Sequence, residues 1–323
     1  MKNEMPLVTV VTACFNTAPY LQATLRSIQA QTLSDMEVIL VDDCSTDTTL
    51  AIMREFATQD QRFKVIALQR NQGVVAARNA AMAQARGRYI AMLDGDDLWK
   101  PDALAMRVAL AERYPTASVI ATDFAWFNDE LPKLPIGKVG LGPGARKAFT
   151  DSFRSNEATL LDEPFDRVAS IHFAWTGATL VRRSAMTAIG NFDPTFTGPE
   201  DTLLWLRLAQ QGAFVFSPQI TAFYRQRAGS LVALLNVKGP KELQYLKVLE
   251  WIRKKPEFSP HSAVIRRLTA ECHHISAQHY RRSGESSSAR KQALGALQNQ
   301  PLEWRYWRGL AAACLERGRS PEH

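Results

Sequence analysis

The run Tyr89-Ile90-Ala91-Met92-Leu93 passes without a linker into Asp94-Gly95-Asp96-Asp97. An unbroken apolar run of that length reads as a strand buried on both faces, the mark of a parallel sheet. Working outward, Leu7–Val11, Glu37–Val41, Phe63–Leu68 and Ala117–Thr122 also read as strands. Helical patterns lie between them. Pro19 suits a first helical position ahead of Leu21, Leu25 and Ile28 on one face. Ser45 or Thr46 is placed to cap a helix carrying Leu50, Met53 and Phe56. Asn71-Gln72-Gly73 forms a turn, Val74–Ala85 is an Ala-rich helix ended by Gly87, and Pro101 opens a helix reaching Arg113. This alternation predicts an α/β fold: a Rossmann-like, mostly parallel sheet with helices on both faces.

After Phe127 the alternation stops. Residues 131–144 hold three Pro and four Gly, which predicts a loop. Ala178–Val181 reads as a strand, Arg183–Ile189 as a short helix, and Pro199 opens a helix with Leu203, Leu206 and Leu208. Ala213–Phe216 and Ile220–Tyr224 read as two further strands. From Pro240 on the pattern is helical, broken at Pro256, Pro260 and 283–288. The expected division is a domain over 1–235, with halves 1–125 and 126–235, and a basic α-helical C-terminal appendage over 236–323.

The net charge of +7 hides an asymmetry. Residues 1–224 carry 21 basic and 24 acidic side chains, whereas 225–323 carry 18 and 8. An acidic body with a basic tail argues against reading the total as a nucleic-acid footprint. Hydrophobic residues at 46% and charged residues at 22% exclude a disordered chain, a collagen and a disulfide-stapled miniprotein. Cys14, Cys44, Cys272 and Cys314 fall at no metal-ligand or redox spacing. With no secretory core near the start and no 18-residue apolar run, the chain reads as cytoplasmic.

Two acidic clusters stand at the carboxyl ends of expected parallel strands: Asp42-Asp43 and Asp94/Asp96/Asp97. Open α/β sheets bind ligands at that edge. Three carboxylates in four residues repel one another unless neutralised, and Mg²⁺ or Mn²⁺ takes oxygen ligands from one or two carboxylates plus substrate phosphates. The bland alternative is a solvated turn whose Asp caps the next helix. No GxxxxGK[ST] or GxGxxG follows a strand, so neither a P-loop nor a dinucleotide cradle holds the phosphates.

Several segments then resemble glycosyltransferase family 2 in order and spacing, over roughly residues 6–231. They are Thr9-Val10-Val11-Thr12 with Phe15-Asn16, Val41-Asp42-Asp43-Cys44-Ser45-Thr46-Asp47, Asn71-Gln72-Gly73 with Ala77-Arg78-Asn79, Gly87-Arg88-Tyr89-Ile90 and Leu93-Asp94-Gly95-Asp96-Asp97. Thr176-Gly177, Arg182-Arg183, Gly190-Asn191-Phe192-Asp193 and Glu200-Asp201-Thr202-Leu203-Leu204-Trp205-Leu206-Arg207 continue the likeness. The resemblance implies a GT-A fold, with the nucleotide bound by 1–125 and the acceptor by 126–235. The implied activity is inverting, hexosyltransferase-type transfer of a sugar from a nucleotide-diphosphate sugar, UDP-sugar favoured, to an acceptor hydroxyl in surface polysaccharide synthesis.

On that resemblance Thr12, Phe15, Asn16 and the Asp42–Asp43 pair meet the nucleotide, Asp43 being the better candidate for a uracil-like edge. Asp96 and Asp94 match the DxD motif, Asp96 as metal ligand and Asp94 nearer the ribose or sugar. Asp201 matches the catalytic base, with Glu200 orienting a substrate group or the helix; dipole compensation alone accounts for one acid there but not two. The family often has His where Arg227 stands. Arg227 cannot ligate a cation but can contact diphosphate bidentately.

Other candidates divide more evenly. Arg78 is a diphosphate or sugar contact or else a surface charge. Asn79 suits neighbouring backbone or else a ligand, His172 a half-buried structural role or an acceptor contact, and Trp99 and Trp175 either core packing or sugar stacking. Cys272-His273-His274 with His279 shares no helix face suited to a metal. The basic tail, with an apolar face including Trp304 and Trp307, suits a solvated face or an anionic bilayer surface, which would place the chain peripherally at the membrane. The expected partners are thus a nucleotide-sugar, a glycan or lipid-linked glycan and such a membrane, with no nucleic acid. The competing functions are a non-catalytic glycan- or membrane-binding protein and a sugar-1-phosphate nucleotidyltransferase. The first is expected to lack Asp96 or Asp201, and the second to carry a glycine- and arginine-rich loop after the first strand; neither is the case.

Overall fold

The structure is a computed structural model describing residues 5–127, 141–196, 198–226, 240 and 242–315. The chain divides into two compact units, 1–228 and 229–323.

Among the described residues, the first unit is built on nine strands. They are β1 (Val8–Cys14), β2 (Met36–Asp42), β3 (Phe63–Ala67), β4 (Tyr89–Met92), β5 (Leu98–Trp99), β6 (Ala117–Phe127), β7 (Thr159–Leu161), β8 (Thr179–Arg182) and β9 (Ala213–Arg225). Their order is β3-β2-β1-β4-β8-β6-β9-β5, with β7 also on β9. β1 runs parallel to β2 and β4, and β6 parallel to β9, while β8 is inserted antiparallel between β4 and β6. The carboxyl ends of β1, β2, β4, β6 and β9 therefore share one edge with the start of β8.

The helices are α1 (Ala18–Gln29), α2 (Thr49–Gln59), α3 (Val74–Met82), α4 (Ala103–Arg113), α5 (Pro143–Ala148), α6 (Thr150–Ser155), α7 (Phe165–Ser170), α8 (Arg183–Ala188) and α9 (Glu200–Leu208). Strand order reverses between β1 and β4, so right-handed crossovers send α1 and α2 to one face and α3 to the other. With both faces covered, every residue of β2 is buried, including Glu37. Burial opposes that charge, but Lys64, Arg86 and Thr9 bond the carboxyl and hold it down at about 2.

Four local expectations change. Neither Ser45 nor Thr46 caps α2; Asp47 accepts the Thr49 N–H at 2.9 Å instead, and Ser45 and Thr46 bond Asn16. Asp97 caps no helix, because the chain first forms β5. The two strands expected over 213–224 are one strand, bent where its register against β6 slips at Thr122–Phe124. The loop expected over 131–144 lies outside the described residues up to 140, and Pro143 opens α5.

The second unit holds α10 (Glu242–Ile252), a 3₁₀ turn (Pro256–His261), α11 (Ser262–Arg282), α12 (Ser286–Asn299) and α13 (Trp304–Leu315). Ala270, Ala296, Leu297 and Tyr306 form one buried apolar cluster in it, and Val248, Leu249, Ile252, Phe258 and Ile265 are buried as well. His273 bonds Gln292 and His274 bonds Gln278, and no three metal-ligating side chains gather among the described residues. Leu302, Trp304, Trp307 and Leu315 are exposed. No helix described is long and apolar enough to cross a membrane.

Candidate active site

The Asp94–Asp97 turn sits at the point where strand order reverses. Gly95 makes this possible: a Cβ there would come within 2.5 Å of Cys14 Sγ and 2.9 Å of Thr17 Oγ1, so the turn packs directly on the end of β1. Asp97 points inward, accepting the Arg225 N–H at 2.8 Å. Burial, reinforced by Asp96 and Asp94, pushes its carboxyl well above the usual range. Asp94 and Asp96 stay partly exposed. They form a two-carboxylate oxygen donor set beside a third carboxyl that favours its neutral form, which fits a hard divalent cation completed by phosphate oxygens.

Arg78, on α3, is only 4% exposed and bridges two segments distant in sequence. Its Nη2 donates to Asp94 Oδ1 at 2.8 Å and its Nη1 to Glu200 Oε1 at 3.1 Å. The guanidinium also lies over the Phe192 ring, 5.3 Å from its centroid. Burial works against its charge, but Asp94 and Glu200 outweigh burial and raise its pKa. It is neither a surface charge nor open to solvent, which overturns that alternative. Glu200 also accepts the Gly198 N–H at 3.0 Å, and burial followed by Asp201 raises its carboxyl despite Arg78. Asp201, the next residue, is half-buried and accepts the Thr202 N–H at 2.6 Å. Arg78 thus brings the Asp94 turn and the first turn of α9 together.

Around β1 and β2 the expected nucleotide contacts separate. Thr12 and Asp42 are buried, and Thr12 Oγ1 and Asp42 Oδ1 have no hydrogen-bond partner among the described residues. Asp43 turns elsewhere: its two oxygens accept the N–H groups of Gln72 and Gly73 at 2.8 and 2.7 Å, fixing the turn before α3. Phe15 is 45% exposed. Asn16, at φ 52°, takes the Thr46 N–H at 2.8 Å and gives its own N–H to Ser45. Its side chain ties two loops at the edge. Arg227 lies outside the described residues.

Asn79 bonds the Phe192 backbone in both directions. Trp99 is buried and donates to Gly177 O at 2.6 Å, so core packing takes it; His172 is exposed rather than half-buried. Sequence reasoning missed Arg107, fully buried and bonded to Gly177 O and Thr221, and Arg225, whose Nε reaches Asp96 O at 2.7 Å. It also missed Asp123, buried at the strand slip, whose carboxyl burial pushes up to about 6. A lone charge in an apolar helix or strand was the available signal.

The sequence profile described as glycosyl transferase family 2 matches residues 9–190, more than half of the chain. The chain belongs to glycosyl transferase family 2. Among family-2-like relatives, TuaG of Bacillus subtilis, named for teichuronic acid biosynthesis, is 44% identical over 104 residues, which are 32% of this chain and 41% of TuaG. The succinoglycan biosynthesis protein ExoO of Rhizobium meliloti is 43% identical over 110 residues, 34% of this chain and 31% of ExoO. The matched part therefore spans less than half of either relative. Among solved structures, S. aureus TarS 1-349 in complex with UDP-GlcNAc superposes with a TM-score of 0.57 at 17% identity, covering 92% of this chain and 93% of that one. The mannosyltransferase PcManGT from Pyrobaculum calidifontis, in complex with GDP-Man and Mn2+, gives 0.59 at 18%, covering 99% and 89%. These likenesses place the family 2 chain in the GT-A fold.

Proposed function

We propose that the chain is an inverting glycosyltransferase that moves a sugar from a nucleotide-diphosphate sugar, with UDP-sugars favoured, to an acceptor hydroxyl. The observation that carries the reading is the Arg78 bridge, which keeps the partly exposed Asp94 turn beside Asp201. Asp201 takes the acceptor proton as the acceptor oxygen bonds the anomeric carbon, and the bond to the diphosphate breaks on the opposite side. Asp96 with Asp94 would hold Mg²⁺ or Mn²⁺, which neutralises the departing diphosphate. Glu200, bonded to Arg78, orients the helix that carries Asp201. Thr12 and Asp42, whose Oγ1 and Oδ1 are buried with no partner among the described residues, and the exposed Phe15 would meet the nucleotide.

The UDP-GlcNAc named for TarS and the GDP-Man and Mn2+ named for PcManGT support the donor class and the cation. The names of TuaG and ExoO support polysaccharide biosynthesis, with a glycan or lipid-linked glycan as acceptor. The basic tail with its exposed Trp304 and Trp307 supports peripheral attachment at the inner face of the membrane. We read residues 1–235 as the transferase domain and 236–323 as this appendage. The test is release of nucleoside diphosphate from a panel of UDP-, GDP-, CMP- and dTDP-sugars with and without Mn²⁺. Full activity in both Asp96→Ala and Asp201→Ala overturns the reading.

A further inference from the structure

Four aromatic residues at the ligand edge remain without a part in this chemistry. Trp126 and Tyr224 are direct cross-strand partners near the ends of β6 and β9, with ring centroids 4.6 Å apart and edge to face. Trp175, just ahead of β8, meets Tyr224 at 5.2 Å and Phe124 at 4.7 Å. Phe124 is buried beneath, whereas Trp126, Trp175 and Tyr224 are each only half-buried. The register slip at Thr122–Phe124, where the extra residues between Ser217 and Ala222 belong to β9, bends β9 just before this group.

The group is built, and it adjoins the carboxylates. The six-membered ring of the Trp175 indole occupies the space a Cβ on Gly177 would fill. Gly177 is in turn pinned through its carbonyl by Trp99, two residues past Asp97, and by Arg107. Tyr224 precedes Arg225, whose N–H goes to Asp97 and whose Nε goes to Asp96 O. In the sheet β8 lies between β4 and β6, so the edge presents the Asp94 turn, Trp175 and Trp126 in succession.

Resting on the proposed transfer reaction, we infer that Trp126, Trp175 and Tyr224 form the acceptor subsite, which takes a pyranose ring by stacking. A pyranose has one face of axial C–H groups, apolar and slightly positive, that matches the negative face of an indole or phenol ring. Such rings combine large contact area with little side-chain entropy to lose. The neighbouring carboxylates then define where the sugar's hydroxyl meets the donor.

The test uses the full chain with methyl α- and β-pyranosides of glucose, galactose, mannose and N-acetylglucosamine, and their β-linked disaccharides. Saturation-transfer NMR and tryptophan fluorescence read binding in the presence of UDP and Mn²⁺. At least one pyranoside is expected to receive saturation at its axial C–H protons. Trp126→Leu and Trp175→Leu, which keep apolar bulk, should weaken it about tenfold, whereas Trp126→Phe should largely retain it. Leu variants that melt normally and bind as tightly as the parent overturn the platform, as does a parent that binds UDP but no pyranoside. A parent whose melting temperature no nucleotide-sugar raises overturns the transferase reading itself.

Discussion

Asp94 and Glu200 are held by one guanidinium, so the Asp94 turn and the helix carrying Asp201 cannot move apart without breaking a buried ion pair. Arg78→Ala leaves the Glu200 carboxylate buried and uncompensated. Breaking a buried pair from one side costs about 3–5 kcal/mol. A large drop in melting temperature is therefore expected. Glu200→Gln added to Arg78→Ala should recover part of it, because the orphaned charge is gone. Arg78→Lys keeps the charge but not the two-nitrogen fork, and should lower turnover more than stability.

Asp96→Asn and Asp201→Asn conserve shape at partly exposed positions. Nucleoside diphosphate release should fall by about 10²–10⁴-fold in Asp201→Asn, the usual worth of a positioned base. Asp96→Asn should raise the Mn²⁺ concentration needed for half-maximal rate. Circular dichroism melts of both should match the parent.

Gly95→Ala tests the seat of the carboxylate turn. The added methyl meets Cys14 Sγ and Thr17 Oγ1, so the turn must lift from β1. Weaker binding of UDP with Mn²⁺, read by calorimetry, is expected at nearly unchanged secondary structure.

Asp123 supplies a pH signature. Burial raises its carboxyl in the folded protein to about 6, from an ordinary 3.8, against the Phe124 N–H and Arg146. Between those values the native state binds the proton more tightly than the unfolded chain. The contribution therefore stabilises at low pH and is lost as pH rises through 6. Lowering the pH from 7 to 5 should give the parent about 1 kcal/mol relative to Asp123→Asn, read from denaturant melts at each pH.

The exposed Trp304 and Trp307 predict the behaviour of the tail. Co-sedimentation with phosphatidylglycerol vesicles should exceed that with phosphatidylcholine vesicles and fall with salt. Trp304→Ala/Trp307→Ala should reduce it.

The parallel elements of the first 125 residues were legible in the sequence because buried parallel strands are written as apolar, Val/Ile-rich runs, and the Asp94 turn follows one of them. The direction of β8 was not legible, since a four-residue apolar segment looks the same parallel or antiparallel. Asp43 and Asn16 show the other limit. An acid or amide at a binding edge reads as a ligand contact, yet backbone N–H groups from a loop near residue 45 or 72 compete for it. Arg78 resisted a decision because its two partners lie on other segments and only the fold brings them together.

The Arg78 bridge also bears on recombination between family members. A chimera that takes β1 through the Asp94–Asp97 turn from this chain and the remainder from another family member would keep Arg78 and Asp94 but inherit a foreign counterpart to Glu200. Unless that counterpart is an acid at the same place, the graft would carry a buried cation with half its neutralisation missing. The two segments are therefore exchangeable here only as parts that share a common charge lock.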